Sequence, residues 1–234
     1  KRFRDLLPGV IRPDIIPIEE GPHGPRMVIT ELDSVPGGIG LTGALARAYS
    51  EWPIANSESG EQRSASKSSP SQSSVLSPQS WQIVGGSDGM VQGFAKLLRF
   101  QQAGRPGFIA ILVSDEAKDY RAEMTWMAAR LREIGLEAYC VEPRDIRFTE
   151  ESLLIRSETG DRLVSLVYRF FELFDLLNIP KSELIMYSAK KDRTVVTPPF
   201  KPALEEKLVF ALFHHPVLAP FWRKDLEEET YGLL

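Results

Sequence analysis

The chain has 234 residues, 43% of them hydrophobic and 26% charged, which is enough apolar material for one large or two small globular domains. A net charge of −4 argues against nucleic-acid binding, and the longest apolar runs are too short to cross a bilayer, so neither nucleic acid nor membrane is predicted as a partner. Cys140 is the only cysteine, which excludes an internal disulfide and favours a reducing, cytoplasmic location.

The first unit, residues 1–54, is predicted to hold a hairpin followed by a glycine turn. Residues 10–18, VIRPDIIPI, have the composition of a strand, and their two prolines indicate an edge or interrupted strand. The Gly and Pro residues of EEGPHGP supply a turn, and residues 27–33 are predicted to be the second strand. A short helix is expected over 41–49, LTGALARAY.

A serine-rich tract then interrupts the fold. Eleven of the 24 residues from 57 to 80 are serine, and almost none are aliphatic. Such a segment cannot bury enough apolar surface to offset its ordering entropy, so residues 55–80 are predicted to be a disordered insertion. Its hydroxyls offer phosphorylation sites, but a passive loop is the favoured interpretation.

Residues 81–234 are predicted to form an α/β domain around a βαβ unit. GFIAILV, 107–113, is an unbroken apolar run, which is typical of a central strand buried on both faces. A helix from 116 to 134, ended by Gly135, and a strand over 136–141 complete the unit, with a right-handed crossover.

Other elements flank this unit and complete the expected fold class. The remaining patterns predict a helix over 90–100, strands at LLIRS and LVSLVYRF, a helix at SELIMYS, and a final helix that starts at Pro202 in PALEEKLVFALFHH. The expected fold is therefore α/β, with a mostly parallel sheet flanked by helices and an N-terminal hairpin that carries acidic residues.

The stretch MVITELDSVPGGIGLTG raises the first functional hypothesis. Gly38, Gly40 and Gly43 follow a strand with the G-x-G-x-x-G spacing of dinucleotide-binding loops. Two features argue against that function. The preceding strand carries two carboxylates, and the serine-rich tract lies where a second strand ending in an acidic residue should be.

The same carboxylates raise a second hypothesis, a metal site. Side chains two residues apart on a strand point to one face, so Glu31 and Asp33 share a face, as do Arg12 and Asp14. If the two strands pair as a hairpin, three carboxylates converge, and magnesium would relieve their repulsion. The arginine could hold a phosphate or an oxyanion. On spacing alone, a solvated polar face is the favoured interpretation.

The order of several motifs along the chain favours a functional site over a solvated polar face. RPD at 12–14 is followed by TELDSVPGG at 30–38, and later come LVSDEAKDYRAEMTWMAARLREIG, LVYRFFELFDLL and TPPFKPALEEKLVFALFHHPVLAPFW. Together these segments resemble the glutathionylspermidine synthetase family, a circularly permuted ATP-grasp group with R-x-D and E-x-N motifs. The resemblance covers residues 10–45 and 83–223.

The resemblance implies an ATP-dependent carboxylate–amine ligase that forms an acyl phosphate with ATP and magnesium before an amine attacks. If the roles of the family's motif residues are transferred to this chain, Arg12 would be the catalytic residue that contacts the reacting carboxyl or phosphate. The implied magnesium ligands are Asp14, Glu31 and Asp33, and the implied substrate contacts are Ser34, Gly37, Gly38, Asp115 and Glu116. Asp33 stands where the family has asparagine, which adds a charge to the implied metal site.

Alternatives stay open at several of these positions. Asp115 and Glu116 could instead complement the dipole of the helix that follows them. The family's ATP-gripping lysines and lid lie beyond the last matching segment, so the chain is expected to be the pre-ATP-grasp, substrate-side piece of a longer protein, inactive alone. The competing hypothesis is a non-catalytic ligand-binding or assembly module, and a dinucleotide-binding domain is less favoured. The two substrates and the oligomeric state are not defined.

Aromatic residues cluster at the end of the last predicted strand, LVSLVYRF, and just after it. Tyr168, Phe170, Phe171 and Phe174 are expected in the hydrophobic core, and a surface that stacks on a ligand is the less favoured interpretation. Cys140 ends an apolar strand and is expected to be buried there.

Overall fold

The computed structural model describes residues 7–21, 24–51, 83–157 and 160–233. Its strands are β1 (Arg12–Gly21), β2 (Gly24–Asp33), β3 (Phe108–Val113), β4 (Ala138–Val141), β5 (Ile146–Phe148), β6 (Leu153–Ser157), β7 (Gly160–Phe170) and β8 (Val195–Thr197). Its α-helices are α1 (Ile39–Glu51), α2 (Gly89–Gln102), α3 (Arg121–Glu133), α4 (Ser182–Lys190), α5 (Leu208–Phe213), α6 (Ala219–Leu226) and α7 (Glu228–Leu233). No helix in these ranges has the length and hydropathy needed to cross a bilayer. The predicted disorder over 55–80 falls outside the described residues.

The central sheet has the strand order β4-β3-β7-β6-β5, and β8 pairs with the second half of β7. Strand β3 runs parallel to β4 and β7, and β8 runs parallel to β7. Strands β5 and β6 extend the other edge as antiparallel pairs. The expected α/β fold, with a mostly parallel sheet and a separate hairpin, is confirmed.

The βαβ prediction is also confirmed, because β3 lies between β4 and β7 and all six of its residues are buried. A strand covered on both faces needs apolar side chains at every position. The helix begins at Arg121 rather than at 116, since residues 118–120 form a 3-10 turn and Ser114 Oγ accepts a backbone N–H at 3.3 Å. Gly135 ends the helix as predicted, with a φ of +77°.

The predicted final helix is divided into shorter pieces. Pro202 starts a 3-10 turn that ends at Leu204, and α5 begins only at Leu208. Between them, the Glu205 carboxylate accepts hydrogen bonds from the Arg169 side chain and from the Leu173 N–H. Holding this side chain against the end of β7 keeps the Glu205 backbone in a non-helical turn, with a φ of −119°.

Each face of the sheet has its own hydrophobic core. Alternate side chains of β3 and β7 point to opposite faces, which divides the buried residues into two groups. The core under α2 and α3 contains Val91, Phe94, Leu98, Ile109, Ile111, Met124, Met127, Leu131 and Leu166. The core under α4 contains Phe108, Ala110, Leu112, Ile146, Val167, Ile179 and Ile185. Each large apolar side chain buried here stabilises the fold by about 1.5–3 kcal/mol.

Strands β1 and β2 form a two-stranded antiparallel ribbon that stands apart from the central sheet. Helix α1 follows the ribbon and packs on α3. A Cβ at Gly40 would lie 2.3 Å from the Glu123 carbonyl oxygen, and one at Gly43 would lie 3.0 Å from the Trp126 ring. Gly40 is therefore required for the close approach of α1 to α3, and a side chain at Gly43 would have to shift the Trp126 ring.

Candidate functional site

The register of the ribbon brings four predicted site residues to one face. Arg12 lies opposite Asp33, and Asp14 lies opposite Glu31. The Arg12 guanidinium is 3.0 Å from Asp14, 3.2 Å from Asp33, and donates to the Gly37 carbonyl oxygen at 2.8 Å. The convergence expected from the i, i+2 spacing is present, whereas the catalytic role of Arg12 stays a prediction.

These carboxylates do not, as they lie, make a magnesium site. Asp14 and Asp33 share the Arg12 guanidinium, and Glu31 is 3.1 Å from the Lys207 ammonium. Among the described residues, no group of three or more His, Cys, Asp or Glu side chains could hold a metal ion. Magnesium would have to displace both basic side chains before it could bind, and the metal-ligand roles of Asp14, Glu31 and Asp33 stay predictions.

Asp33 is the most constrained of the four. Its carboxylate accepts the Val35 N–H at 2.7 Å, which fixes the turn after β2. Burial raises the pKa of Asp33, as do the charges of Glu31 and Asp14, whereas the Val35 hydrogen bond and Arg12 lower it, and burial is the largest of these effects. The next residue, Ser34, is buried, and its hydroxyl finds no hydrogen-bond partner within the described part of the chain.

The glycine turn is held by a carboxylate from another helix. Gly38 N–H and Leu41 N–H each donate to the Glu123 carboxylate at 2.8 Å. These amides lie at the start of α1, where a phosphate would otherwise bind. Because Glu123 already occupies them, the geometry argues further against the dinucleotide hypothesis.

Gly37 and Gly38 have clear structural roles in this turn. A Cβ at Gly37 would lie 2.4 Å from the Tyr120 ring, and Gly38 has a φ of +83°, which favours glycine. Substrate contacts at Ser34, Gly37 and Gly38 stay predictions.

Asp115 and Glu116 are exposed just past the end of β3. Asp115 is ion-paired with Arg144 and lies 3.5 Å from Arg121, and both arginines also pair with Glu142 at the end of β4. This network joins the ends of two neighbouring strands. A substrate contact at either acidic residue stays a prediction.

The sequence interpretation missed a buried charged cluster at the end of β7. Arg169 is fully buried, is ion-paired with Glu205, and donates to the carbonyl oxygens of Phe171 and Pro198. An arginine inside an apolar strand, in LVYRFFE, was the available signal, because a buried charge requires partners.

Glu172 belongs to the same cluster. It lies beside Glu205, and burial, the Glu205 charge, the hydrogen bond with Glu205 and the Asp33 charge raise the pKa of Glu172 to about 7. Asp33, at the end of β2, is therefore one of the charges that disfavour the ionised form of Glu172. A group with this pKa can bind or release a proton near neutral pH.

Three of the four aromatic residues are in the core, as predicted. Tyr168, Phe170 and Phe171 are buried, and the Tyr168 ring packs edge-on against Phe94 with centroids 4.9 Å apart. The prediction for Phe174 is wrong, because this side chain is 81% exposed in the 3-10 turn that follows β7.

Tyr168 has an unusual hydroxyl. It is buried and has no hydrogen-bond partner among the described residues. Burial raises the pKa of Tyr168, the Asp33 charge raises it further, and the Arg169 charge lowers it. Cys140, by contrast, is half buried, and burial raises the pKa of its thiol, which disfavours the reactive thiolate.

A cavity of about 240 Å³ lies elsewhere in the molecule, along β8. Its charged lining residues include Arg105 and Asp192, which pair with each other at 2.8 Å. None of the predicted site residues lines this cavity. The acidic face of the ribbon and the predicted site residues therefore lie outside this cavity.

Comparison of the chain with protein-family models and with curated protein sequences finds no match. The resemblance to the glutathionylspermidine synthetase family therefore depends on the motifs and on their order along the chain.

Proposed function

We propose that this chain forms the substrate-side part of an ATP-dependent carboxylate–amine ligase that acts in the cytoplasm. The observation that carries the proposal is the ribbon register, which sets the R-x-D motif at Arg12 opposite the E-x-D motif at Glu31. The turn that follows this face lies near the carboxyl end of β7, since a Cβ at Gly37 would lie 2.4 Å from the Tyr120 ring, and that ring packs on Phe170 with centroids 5.4 Å apart. Open α/β sheets bind ligands at that edge.

In this proposal Arg12 binds the carboxylate substrate. Its guanidinium has a planar fork of donors that matches a carboxylate or an acyl phosphate, and it now shares those donors between Asp14, Asp33 and the Gly37 carbonyl. An incoming anion would take over one of these positions. The same donors would then stabilise negative charge that develops on the reacting group. ATP and magnesium enter the proposal through the family resemblance alone.

The second candidate is a non-catalytic assembly module, and the apolar surface of the ribbon favours it. Ile15, Ile16, Met27 and Val28 are exposed, although a two-stranded ribbon alone is only marginally stable in water. A partner that covers these side chains would stabilise the ribbon without any chemistry.

Steady-state turnover of the complete protein separates the two candidates. With ATP, magnesium and mixed pools of carboxylates and amines, we expect amine-dependent phosphate release coupled to amide formation. Arg12→Lys should reduce kcat/KM by about 100-fold, because an ammonium cannot replace the guanidinium fork. Arg156→Lys, an exposed arginine on β6, is the matched control and should retain full activity. Unchanged turnover in Arg12→Lys would overturn the proposed role of this residue.

A further inference from the structure

The face of the ribbon that carries Arg12 and Asp14 continues into an apolar patch. Ile16 follows Asp14 by two residues on β1, and it lies opposite Val28 on β2. Side chains two residues apart on a strand share a face, and so do directly opposed side chains of paired strands. Ile16 and Val28 therefore extend the same face, and both are exposed.

Helix α5 begins beside this patch. The Lys207 ammonium, in the residue that directly precedes α5, is 3.1 Å from the Glu31 carboxylate. Glu31 lies opposite Asp14, so it is only about 7 Å along the ribbon from the Ile16 pair. Both charged side chains are exposed, and such an ion pair contributes little. It keeps α5 near the ribbon without fixing the direction of the helix.

An apolar side of α5 is also exposed to water. Leu208 and Leu212 are four residues apart, so they lie on one side of the helix. Four apolar side chains next to the Lys207 contact are thus each 41–60% exposed: Ile16, Val28, Leu208 and Leu212. Apolar surfaces this close together gain free energy when they exclude water from between them.

Helices α5, α6 and α7 are joined to one another. The Phe213 ring packs against the rings of Trp222 and Tyr231, with centroids 5.9 and 5.2 Å away. The Trp222 indole N–H donates to the Leu212 carbonyl oxygen at 3.1 Å. No side chain that the structure describes in these three helices is buried. The three helices can therefore move together without opening a hydrophobic core.

The chain is anchored just before these helices. The Glu205 carboxylate is ion-paired with the buried Arg169 and accepts the Leu173 N–H at 2.8 Å. Glu206, which follows, is exposed. A rotation of the backbone at Glu206 would turn α5 while leaving Glu205 in place.

We propose that α5–α7 form a strap that closes over the ribbon, with Leu208 and Leu212 docked on Ile16 and Val28. The structure shows the open form, in which Lys207 already holds the start of α5 at the ribbon. Closure places the strap beside Arg12 on the same face, so an anion reaches that guanidinium only when the strap opens. Neither the docking nor the control of access depends on the reaction that the protein catalyses.

Engineered disulfides test the docking in the full chain, with Cys140→Ser present in every variant. A disulfide needs Cα atoms within about 7 Å, so Ile16→Cys with Leu208→Cys should cross-link only in the closed form. With oxidised glutathione as oxidant, we expect an intramolecular cross-link at least 10-fold faster than in the control pair, Ile15→Cys with Leu208→Cys. Ile15 is equally exposed but lies on the opposite face. Val28→Cys with Leu212→Cys is a second docking pair, in case the first does not fold.

Reaction with phenylglyoxal, followed by peptide mass spectrometry, tests the control of access. In the cross-linked protein Arg12 should react at least 5-fold more slowly than in the reduced protein, and dithiothreitol should restore its rate. Arg156, exposed on β6, is the matched control and should react equally in both forms.

Three outcomes would overturn the inference. Equal cross-linking rates in the docking and control pairs, with wild-type melting of the reduced variants, exclude the docking. Cross-linked dimers in place of cross-linked monomers would assign the patch to a second copy of the chain. An intramolecular cross-link that leaves the reactivity of Arg12 unchanged would show that the strap does not control access.

Discussion

Glu172 lies half buried beside the Glu205 carboxylate, and its pKa is raised to about 7. In the unfolded chain the same carboxyl titrates near its ordinary pKa of 4.5. Between these two values the folded protein holds a proton that the unfolded chain has released, so stability falls as pH rises through this window. Above pH 7 the penalty is complete and constant, and below pH 4.5 it is absent.

The Glu172→Gln variant should therefore gain stability relative to wild type as pH increases. Because the side chain is partly exposed to water, we expect a gain of about 1 kcal/mol at pH 8 and little difference at pH 5. Urea denaturation at the two pH values measures this difference. Glu151→Gln is the control and should show no pH-dependent difference. An equal effect of Glu172→Gln at both pH values would show that the raised pKa is absent.

Tyr168 leads to a second prediction at the residue scale. Its hydroxyl is buried and unpaired within the described residues, so removing it should not cost a hydrogen bond. We expect Tyr168→Phe to unfold at the same or higher urea concentration, with a gain of up to about 1 kcal/mol. A loss of stability on this scale would reveal a partner for the hydroxyl, such as a buried water molecule.

Some of the site could be predicted from residue spacing, and some could not. Arg12 and Asp33 were predictable because side chains two apart on paired strands share a face, whatever the rest of the fold does. Glu172 offered no such spacing. Its chemistry depends on Glu205, which reaches it only because the segment after Pro202 folds back onto the end of β7.

At the scale of secondary-structure elements, the N-terminus of α1 is capped by a side chain from α3. The Glu123 carboxylate accepts two of the first backbone N–H groups, from residues 82 and 85 positions away in the sequence. Neighbouring residues therefore could not reveal this cap. The glycine turn could be recognised in the sequence, and its local pattern resembles a phosphate-binding loop. The sequence did not reveal that the Glu123 carboxylate accepts the hydrogen bonds of this turn.

Removing that carboxylate should destabilise the junction between α1 and α3. Glu123→Ala should cost about 2 kcal/mol in free energy of unfolding, because two hydrogen bonds to a charged group are lost. Glu123→Gln should cost less, since the amide keeps one acceptor. Glu116→Ala, an exposed neighbour on the same segment, should change stability by less than about 0.5 kcal/mol. Equal effects of the two alanine variants would mean that Glu123 does not cap α1.

At the scale of the whole molecule, an α/β domain carries a ribbon that lies outside its sheet. The central position of β3 in the sheet could be predicted from its unbroken apolar sequence, because a strand buried on both faces needs apolar side chains at every position. The short strand β8 and the division of the last helix had no comparable signature. Both are fixed by contacts with the end of β7, which are distant in sequence.

Local stability should differ sharply between the two parts. Amide exchange is slowest where buried apolar contacts are dense and fastest where strands are few and exposed. We expect the amides of β3 to exchange only on global unfolding, and those of Ile15, Ile16, Val28 and Ile29 in the ribbon to exchange much faster. Hydrogen exchange followed by mass spectrometry of peptides from 12–21, 24–33 and 107–113 measures the contrast, with α2 as an internal reference. If the ribbon of the purified chain is protected as strongly as β3, its apolar side chains must be covered in solution, most simply by association of the chain with itself. That result would shift the balance from the ligase to the assembly module, because a covered ribbon would explain its exposed isoleucines without any substrate.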